Sequence, residues 1–168
     1  MLSFLTINIE RDWVWCRRFA CDAHIESFGN LDRLPEPEEF DRLWLEDLIE
    51  QYPDGCVHAW LGDRIVGELR MTVMERAHEG AIFFVYVVPE HRGTGIATQL
   101  HKYMLSFLRR HEVTHARLSV SPTNLRANAF YDKHGWHDLG PRIDAQHVHV
   151  RELRITPETA RRMPPREA

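Results

Sequence analysis

The chain has 168 residues and a mass of 19.8 kDa, the size of one compact domain, and its 43% hydrophobic content excludes the intrinsically disordered class. The formal net charge of −4 argues against a dedicated nucleic-acid binder. Three cysteines exclude a disulfide framework and a four-cysteine zinc site and indicate a reducing compartment, so we expect a cytoplasmic protein.

Hydrophobic periodicity and turn residues predict strands and helices in alternation. Asp12 is a candidate N-cap for the first helix, which we expect to end at Gly29. In chain order the predicted elements are strand 2–9, helix 12–29, helix 35–52, strands 56–61 and 65–74 joined by a two-residue turn, strand 82–88, helix 96–107, strand 116–120, helix 124–134, and strands 136–139 and 147–155.

The run from Ile82 to Val88 is almost wholly apolar, as expected of a strand buried on both faces. Because a helix separates it from strand 116–120, the two strands form a parallel crossover. We therefore predict an α/β (α+β) fold, a mixed central sheet of about seven strands flanked by about four helices. One domain is expected over residues 1–156, followed by a flexible tail over 157–168.

Neither a leader nor a membrane span is expected. The apolar start over residues 2–9 lacks a basic segment before it and runs directly into charged residues. No apolar run approaches the roughly 20 residues that a helix needs to cross a bilayer.

A turn with two glycines follows the apolar strand and leads into a helix. Glycine allows backbone N–H groups to approach a ligand closely, and the helix N-terminus adds partial positive charge. The turn therefore predicts an anion site the size of a diphosphate, although glycines that only relieve crowding are the alternative. It lacks the Lys-Ser/Thr ending of a P-loop and the third small residue of a dinucleotide fingerprint. Its residues are Arg92, Gly93, Thr94, Gly95, Ile96, Ala97 and Thr98.

A second motif begins at Asn124, directly after the strand at 116–120. Ala127 leaves space for close packing, and Tyr131 lies two helical turns after Asn124, on the same face. From the residues alone, Tyr131 is either a ligand contact or a packed aromatic side chain.

Taken together, the two motifs resemble those of the GNAT superfamily of acyl-CoA-dependent N-acyltransferases. Residues 92–97 match Arg/Gln-x-x-Gly-x-Gly/Ala, and residues 124–131 match Asn-x-x-Ala-x-x-x-Tyr. The resemblance is specific over residues 65–139. It implies a GNAT fold and acetyl-CoA as cosubstrate, and it implies that the backbone of 92–98 holds the pyrophosphate. No cysteine or carboxylate spacing supports a metal site, so we expect no metal.

The resemblance also implies roles for single residues. The strand at Val85, Tyr86 and Val87 would pair through its backbone with the pantetheine arm, as an added strand does. Asn124 would contact the same arm, and Ala127 would belong to the same cofactor site. Tyr131 would lie near the thioester sulfur and act as the general acid.

The sequence departs from the family pattern at the positions of the general base. Family members carry a glutamate at one of two strand positions, where this chain has Ala81 and Ser119. Glu68 is our tentative base, and the alternative is a solvated carboxylate paired with Arg70. Further options are Asp22, His24, Glu26, His147 and His149.

Residues 22–50 contain ten acidic side chains and two arginines. This segment is a candidate wall for a cationic acceptor, and the alternative is a solvated helix face. Trp13, Trp15 and Trp44 are expected to pack in the core because of their helical spacing, and the alternative is that they line an acceptor pocket.

The sequence thus predicts an N-acetyltransferase that moves an acetyl group from acetyl-CoA to a primary amine by direct attack in a ternary complex. The acceptor would be a small cationic amine or a peptide. One alternative is a non-catalytic acyl-CoA-binding module, and another is an acetyltransferase of protein N-termini or aminoacyl-tRNA. We expect no membrane and no nucleic-acid partner, and a homodimer stays open.

Overall fold

Seven strands and four helices form the fold in a computed structural model that describes residues 1–156. The predicted tail, residues 157–168, lies outside the described residues. The elements are β1 Leu2–Thr6, α1 Ile9–Phe28, α2 Glu38–Gln51, β2 Cys56–Leu61, β3 Arg64–Met74, β4 Glu79–Val87, α3 Ile96–Arg110, β5 His115–Val120, α4 Leu125–Lys133, β6 His137–Arg142 and β7 Ala145–Arg154.

One mixed sheet contains all seven strands, in the order β1-β2-β3-β4-β5-β7-β6. Neighbouring strands are antiparallel except for β4 and β5, which are parallel and are joined through α3. Two parallel strands need a long connection between them, and α3 provides it. The predicted mixed sheet with a parallel crossover is therefore confirmed.

Two apolar cores hold the layers together. The larger one packs α3 against the sheet, with Leu69, Leu100 and Phe107 among its fully buried side chains. The smaller one fixes α1 and α2 around Cys16 and Leu45. Alternation along the strands directs successive side chains to the two cores.

The first helix begins earlier than predicted. Its N-cap is Asn8, whose side chain accepts a hydrogen bond from the N–H of Arg11, whereas Asp12 lies inside the helix and is buried. The carboxylate of Asp12 accepts the N–H of Asn8 at 3.0 Å, so it closes the start of the helix from within. Gly29 ends α1, as expected. None of the helices among residues 1–156 is both long and apolar enough to cross a bilayer.

Strand β4 is not buried on both faces as predicted. Its ladder with β5 runs from Glu79 to Ile82, and the register with β3 shifts just beyond this point. Phe83 is 48% exposed, because β5 no longer lies beside the second half of β4. The apolar run therefore faces an open cleft over part of its length.

His101 carries a buried imidazole on the inner face of α3. The indole N–H of Trp136 donates to its Nε2 at 3.1 Å. Burial, together with the neighbouring His134, lowers the pKa of His101 to about 4.

Acid should therefore destabilise the fold through His101. Above the pKa of an unfolded histidine, near 6.5, His101 is neutral in both states and the free energy of unfolding is unaffected by its titration. As the pH falls toward 4, the unfolded state binds a proton that the folded state does not, and the free energy of unfolding falls by about 3 kcal/mol. Urea unfolding at a series of pH values measures this change. The variant His101→Gln should show a flatter profile over this range, and parallel profiles for both proteins would contradict the assignment.

Candidate active site

A cavity of about 510 Å³ opens where β4 and β5 separate. Its walls come from the end of α1, the second half of β4, the turn at 92–98, the end of β5 and helix α4. Two motifs that lie far apart in the chain thus line one space, which is within the size range of small-ligand sites.

The edge of β4 offers backbone groups to this cavity. The N–H of Val88 donates to the carbonyl of Val66 on β3, at 3.0 Å. Since backbone groups alternate in direction along a strand, those of Val85 and Val87 point away from β3, toward the cavity. The carbonyl of Val87 accepts from the Nε of Arg92 at 2.9 Å, which ties the start of the turn to the strand.

The turn at 92–98 leaves its backbone open. Gly93 and Gly95 have φ angles of 74° and 93°, in the left-handed region that glycine tolerates. A Cβ built on either one meets nothing within 4 Å, so the space beside this backbone is free for a ligand. The turn and the N-terminus of α3 thus fit a diphosphate.

Two residues that the resemblance assigned to cofactor binding do not line the cavity. Ile96 is buried in the larger core, and the hydroxyl of Thr94 donates to the carbonyl of His91 at 2.6 Å. The other assigned residues do line it: Val85, Tyr86, Val87, Arg92, Gly93, Gly95, Ala97, Thr98, Asn124, Ala127 and Tyr131.

Tyr131 and Asn124 reach the cavity from α4. The side chain of Asn124 caps this helix by accepting the N–H of Ala127 at 3.2 Å. Tyr131 is buried and packs edge-on against Trp136. Burial raises the pKa of Tyr131 to about 12, although Arg151 opposes the shift, so the phenol stays protonated at neutral pH.

Glu68 does not lie in the cavity. It is fully buried, where its carboxylate accepts from Arg70 Nε at 2.5 Å and lies 2.8 Å from His58 Nε2. Although burial opposes its charge, Arg70 and His58 hold the pKa of Glu68 below its usual range. This enclosed carboxylate does not line the cavity, so the structure disagrees with the tentative base. Of the alternative, the pairing with Arg70 is confirmed and the exposure to solvent is wrong.

Cys16 belongs to the same buried group. Its Sγ lies 3.7 Å from His58 Nε2, and burial raises the pKa of the thiol. The ligand atoms of Cys16, His58 and Glu68 lie within 4.8 Å of one another, near enough to share a cation. The fixed charge of Arg70 beside Glu68 opposes a divalent ion there, and hydrogen bonds already satisfy the carboxylate.

The remaining candidate bases differ in their surroundings. Asp22 accepts the hydroxyl of Tyr86 at 2.9 Å, and Glu26 is paired with arginines. His149 is paired with Asp138. The other two, His24 and His147, lie near Phe28, and only His24 of this pair lines the cavity.

Part of the acidic segment is paired within the protein. Arg17, from outside the segment, lies within ion-pair distance of Glu36, Glu38 and Asp41. Arg42 takes up Glu46. The count along the sequence included Arg42 but not Arg17, so the segment presents less free negative charge than that count indicates.

Two of the three tryptophans are not core residues. Trp15 and Trp44 are each 39% exposed, contrary to expectation. Trp44 packs edge-on against Phe83 at 5.0 Å between ring centroids, which extends the aromatic surface beside the cavity.

Arg126 is a cavity residue that the sequence analysis missed. It stands in the first turn of α4, where the positive end of the helix dipole disfavours a cation. A cation at this unfavourable position is the feature of the sequence that could have indicated a binding role for Arg126.

Comparisons with known proteins agree with this geometry. A model of the Acetyltransferase (GNAT) family matches residues 20–136. An uncharacterized N-acetyltransferase of Archaeoglobus fulgidus is 28% identical over 115 residues, which cover 65% of this chain and 78% of that protein.

Solved structures share the fold. The PaiA N-acetyltransferase of Thermoplasma acidophilum, in complex with coenzyme A, superposes with a TM-score of 0.74 at 15% identity over 92% of this chain and 99% of that one. The ribosomal-protein-S18-alanine N-acetyltransferase of Escherichia coli gives 0.61 at 16% identity over 100% and 99% of the two chains.

Removing the charge of Glu68 should test its structural role. We expect Glu68→Gln to lower the free energy of unfolding by about 3–5 kcal/mol, because Arg70 then loses its buried partner. Denaturant titration measures this loss, with Glu39→Gln on the exposed side of α2 as the matched control. In the fraction that remains folded, the affinity for coenzyme A should be unchanged. A stable variant with impaired acetyl transfer would instead support the role of a base.

Proposed function

Since the chain belongs to the acetyltransferase (GNAT) family, we propose that it transfers an acetyl group from acetyl-CoA to a primary amine of a small molecule or peptide. The observation that carries this proposal is the open edge of β4, which leads into the glycine turn within the same cavity as Tyr131. Bound acetyl-CoA supplies the activated acetyl thioester.

The backbone groups of the chain orient this cosubstrate. Val85 and Val87 pair with its extended arm, and the turn at 92–98 holds its diphosphate. The N–H groups on the edge of β4 also stabilise the negative charge that develops on the carbonyl oxygen.

The acceptor amine must lose a proton before it attacks. For a lysine-like amine at pH 7 this costs about 4.6 kcal/mol, but for an α-amine only about 1 kcal/mol. We propose His24 as the base that deprotonates lysine-like amines. Its Nδ1 lies 2.9 Å from the carbonyl of Ala20 on the same helix, an arrangement that places the proton on Nδ1 and leaves Nε2 free to accept one.

Tyr131 is proposed to act on the leaving sulfur. A phenol with a pKa of about 12 is a weak acid toward a thiolate whose conjugate acid has a pKa near 8.5, and complete transfer costs about 5 kcal/mol. The contribution of Tyr131 is therefore a hydrogen bond that stabilises the developing thiolate. The proton released by the amine then completes the free thiol.

Tyr131→Phe should separate this role from binding. We expect kcat to fall by about 10²-fold, as for the loss of one such donor, while the Kd for acetyl-CoA changes little. Release of free thiol gives kcat, and calorimetry gives the Kd. Unchanged turnover would remove Tyr131 from the mechanism.

A series of acceptor amines tests His24. In His24→Gln, kcat/KM should fall by about 10²-fold for amines with a pKa near 10 and much less for amines near 8. His137→Gln, at an exposed position on β6, is the matched control. Equal losses across the series would show that His24 does not take the proton.

A further inference from the structure

The last turn of α1 lines the cavity and is hydrogen-bonded to the segment where α4 begins. The hydroxyl of Thr123 donates to the carbonyl of Ser27 at 3.1 Å. The amide of Asn124 donates to the hydroxyl of Ser27 at 3.3 Å. These bonds join α1 to the start of α4, although the two segments are almost 100 residues apart in the chain.

Glu26, in this last turn of α1, contacts Arg92 of the glycine turn and Arg126 of α4. Its two carboxylate oxygens accept from the Nη1 and Nη2 of Arg92, at 3.0 and 3.1 Å. Arg126 on α4 donates to the same carboxylate, at the oxygen that also accepts from Arg92 Nη1. All three side chains line the cavity together with Gly93 and Gly95.

Two arginines that converge on one carboxylate form a phosphate-shaped site. A guanidinium binds the oxygens of phosphate and of carboxylate with the same forked geometry, so one anion can replace the other. Arg92 and Arg126 together carry two positive charges, and Glu26 neutralises one of them. A diphosphate would neutralise both.

We propose that Arg92 and Arg126 form a two-arginine phosphate site, which Glu26 fills in the free protein and leaves when the phosphate groups of a coenzyme A ester bind. The inference rests on the proposed function for the identity of this ligand, but the site itself requires only a phosphate-bearing molecule. Arg126 is then a binding residue, which explains a cation in the first turn of α4.

Competition within the chain reduces the apparent affinity for the ligand. When Glu26 occupies the site for most of the time, the apparent Kd is the intrinsic Kd divided by the fraction of open protein. The Glu26 side chain is 31% exposed, so the carboxylate can move into water when it is displaced.

Calorimetric titration of the full chain tests the proposal with three probes: coenzyme A, pantetheine and inorganic pyrophosphate. Glu26→Gln should bind coenzyme A and pyrophosphate about fivefold more tightly than the wild type, because the competing charge is gone. Its affinity for pantetheine, which carries no phosphate, should not change. Glu39→Gln, an exposed change of the same kind on α2, should behave as the wild type.

Arg126→Gln completes the test. It should bind coenzyme A and pyrophosphate about tenfold more weakly and lose part of the salt dependence of binding, again without effect on pantetheine. Equal or weaker binding of both phosphate probes by Glu26→Gln would overturn the proposal, as would unchanged binding by Arg126→Gln. If pyrophosphate follows the predicted order but no variant binds coenzyme A, the phosphate site stands and the proposed function fails.

Discussion

The separation of β4 from β5 is the feature on which the rest of this structure depends. Both strands are parallel neighbours as far as Ile82, and beyond it one edge of β4 faces a cavity instead of a strand. An unpaired strand edge inside a protein favours an extended ligand, because backbone N–H and C=O groups away from water need partners. The glycine turn, α4 and the end of α1 are arranged around this edge, so the family's two motifs act at one place.

Helix α1 contacts two groups of charged side chains, one buried and one at the surface. At its N-terminal half, Cys16 packs against the buried group of His58, Glu68 and Arg70, which is shielded from solvent and has a structural role. At its C-terminal end, Glu26 is exposed and paired with arginines that line the cavity. The first set fixes the helix on the sheet, and the second can exchange its partner for a phosphate.

Local patterns predict much of the fold, and the resemblance of the two motifs to those of the GNAT superfamily implies that they share one cofactor site. Errors arose where a side chain's environment is set by distant parts of the chain. Glu68 is not the base that the sequence predicts, because its burial depends on α1. The acidic segment is less charged than its composition predicts, because Arg17 pairs with it from outside the segment. The sequence predicts a buried Phe83, because it does not show where β4 and β5 separate. Arg126 is the exception, since its position in the helix was informative.

The free edge of β4 is the proposed binding site of the cosubstrate. Amide hydrogen exchange, measured by NMR for single residues with and without acetyl-CoA, is the experiment that reports on this edge residue by residue. The amides of Val85 and Val87 should exchange more slowly when acetyl-CoA is present, whereas the amide of Val88, already bonded to Val66, should change little. Unaltered exchange at Val85 and Val87 in the presence of saturating acetyl-CoA would contradict the account.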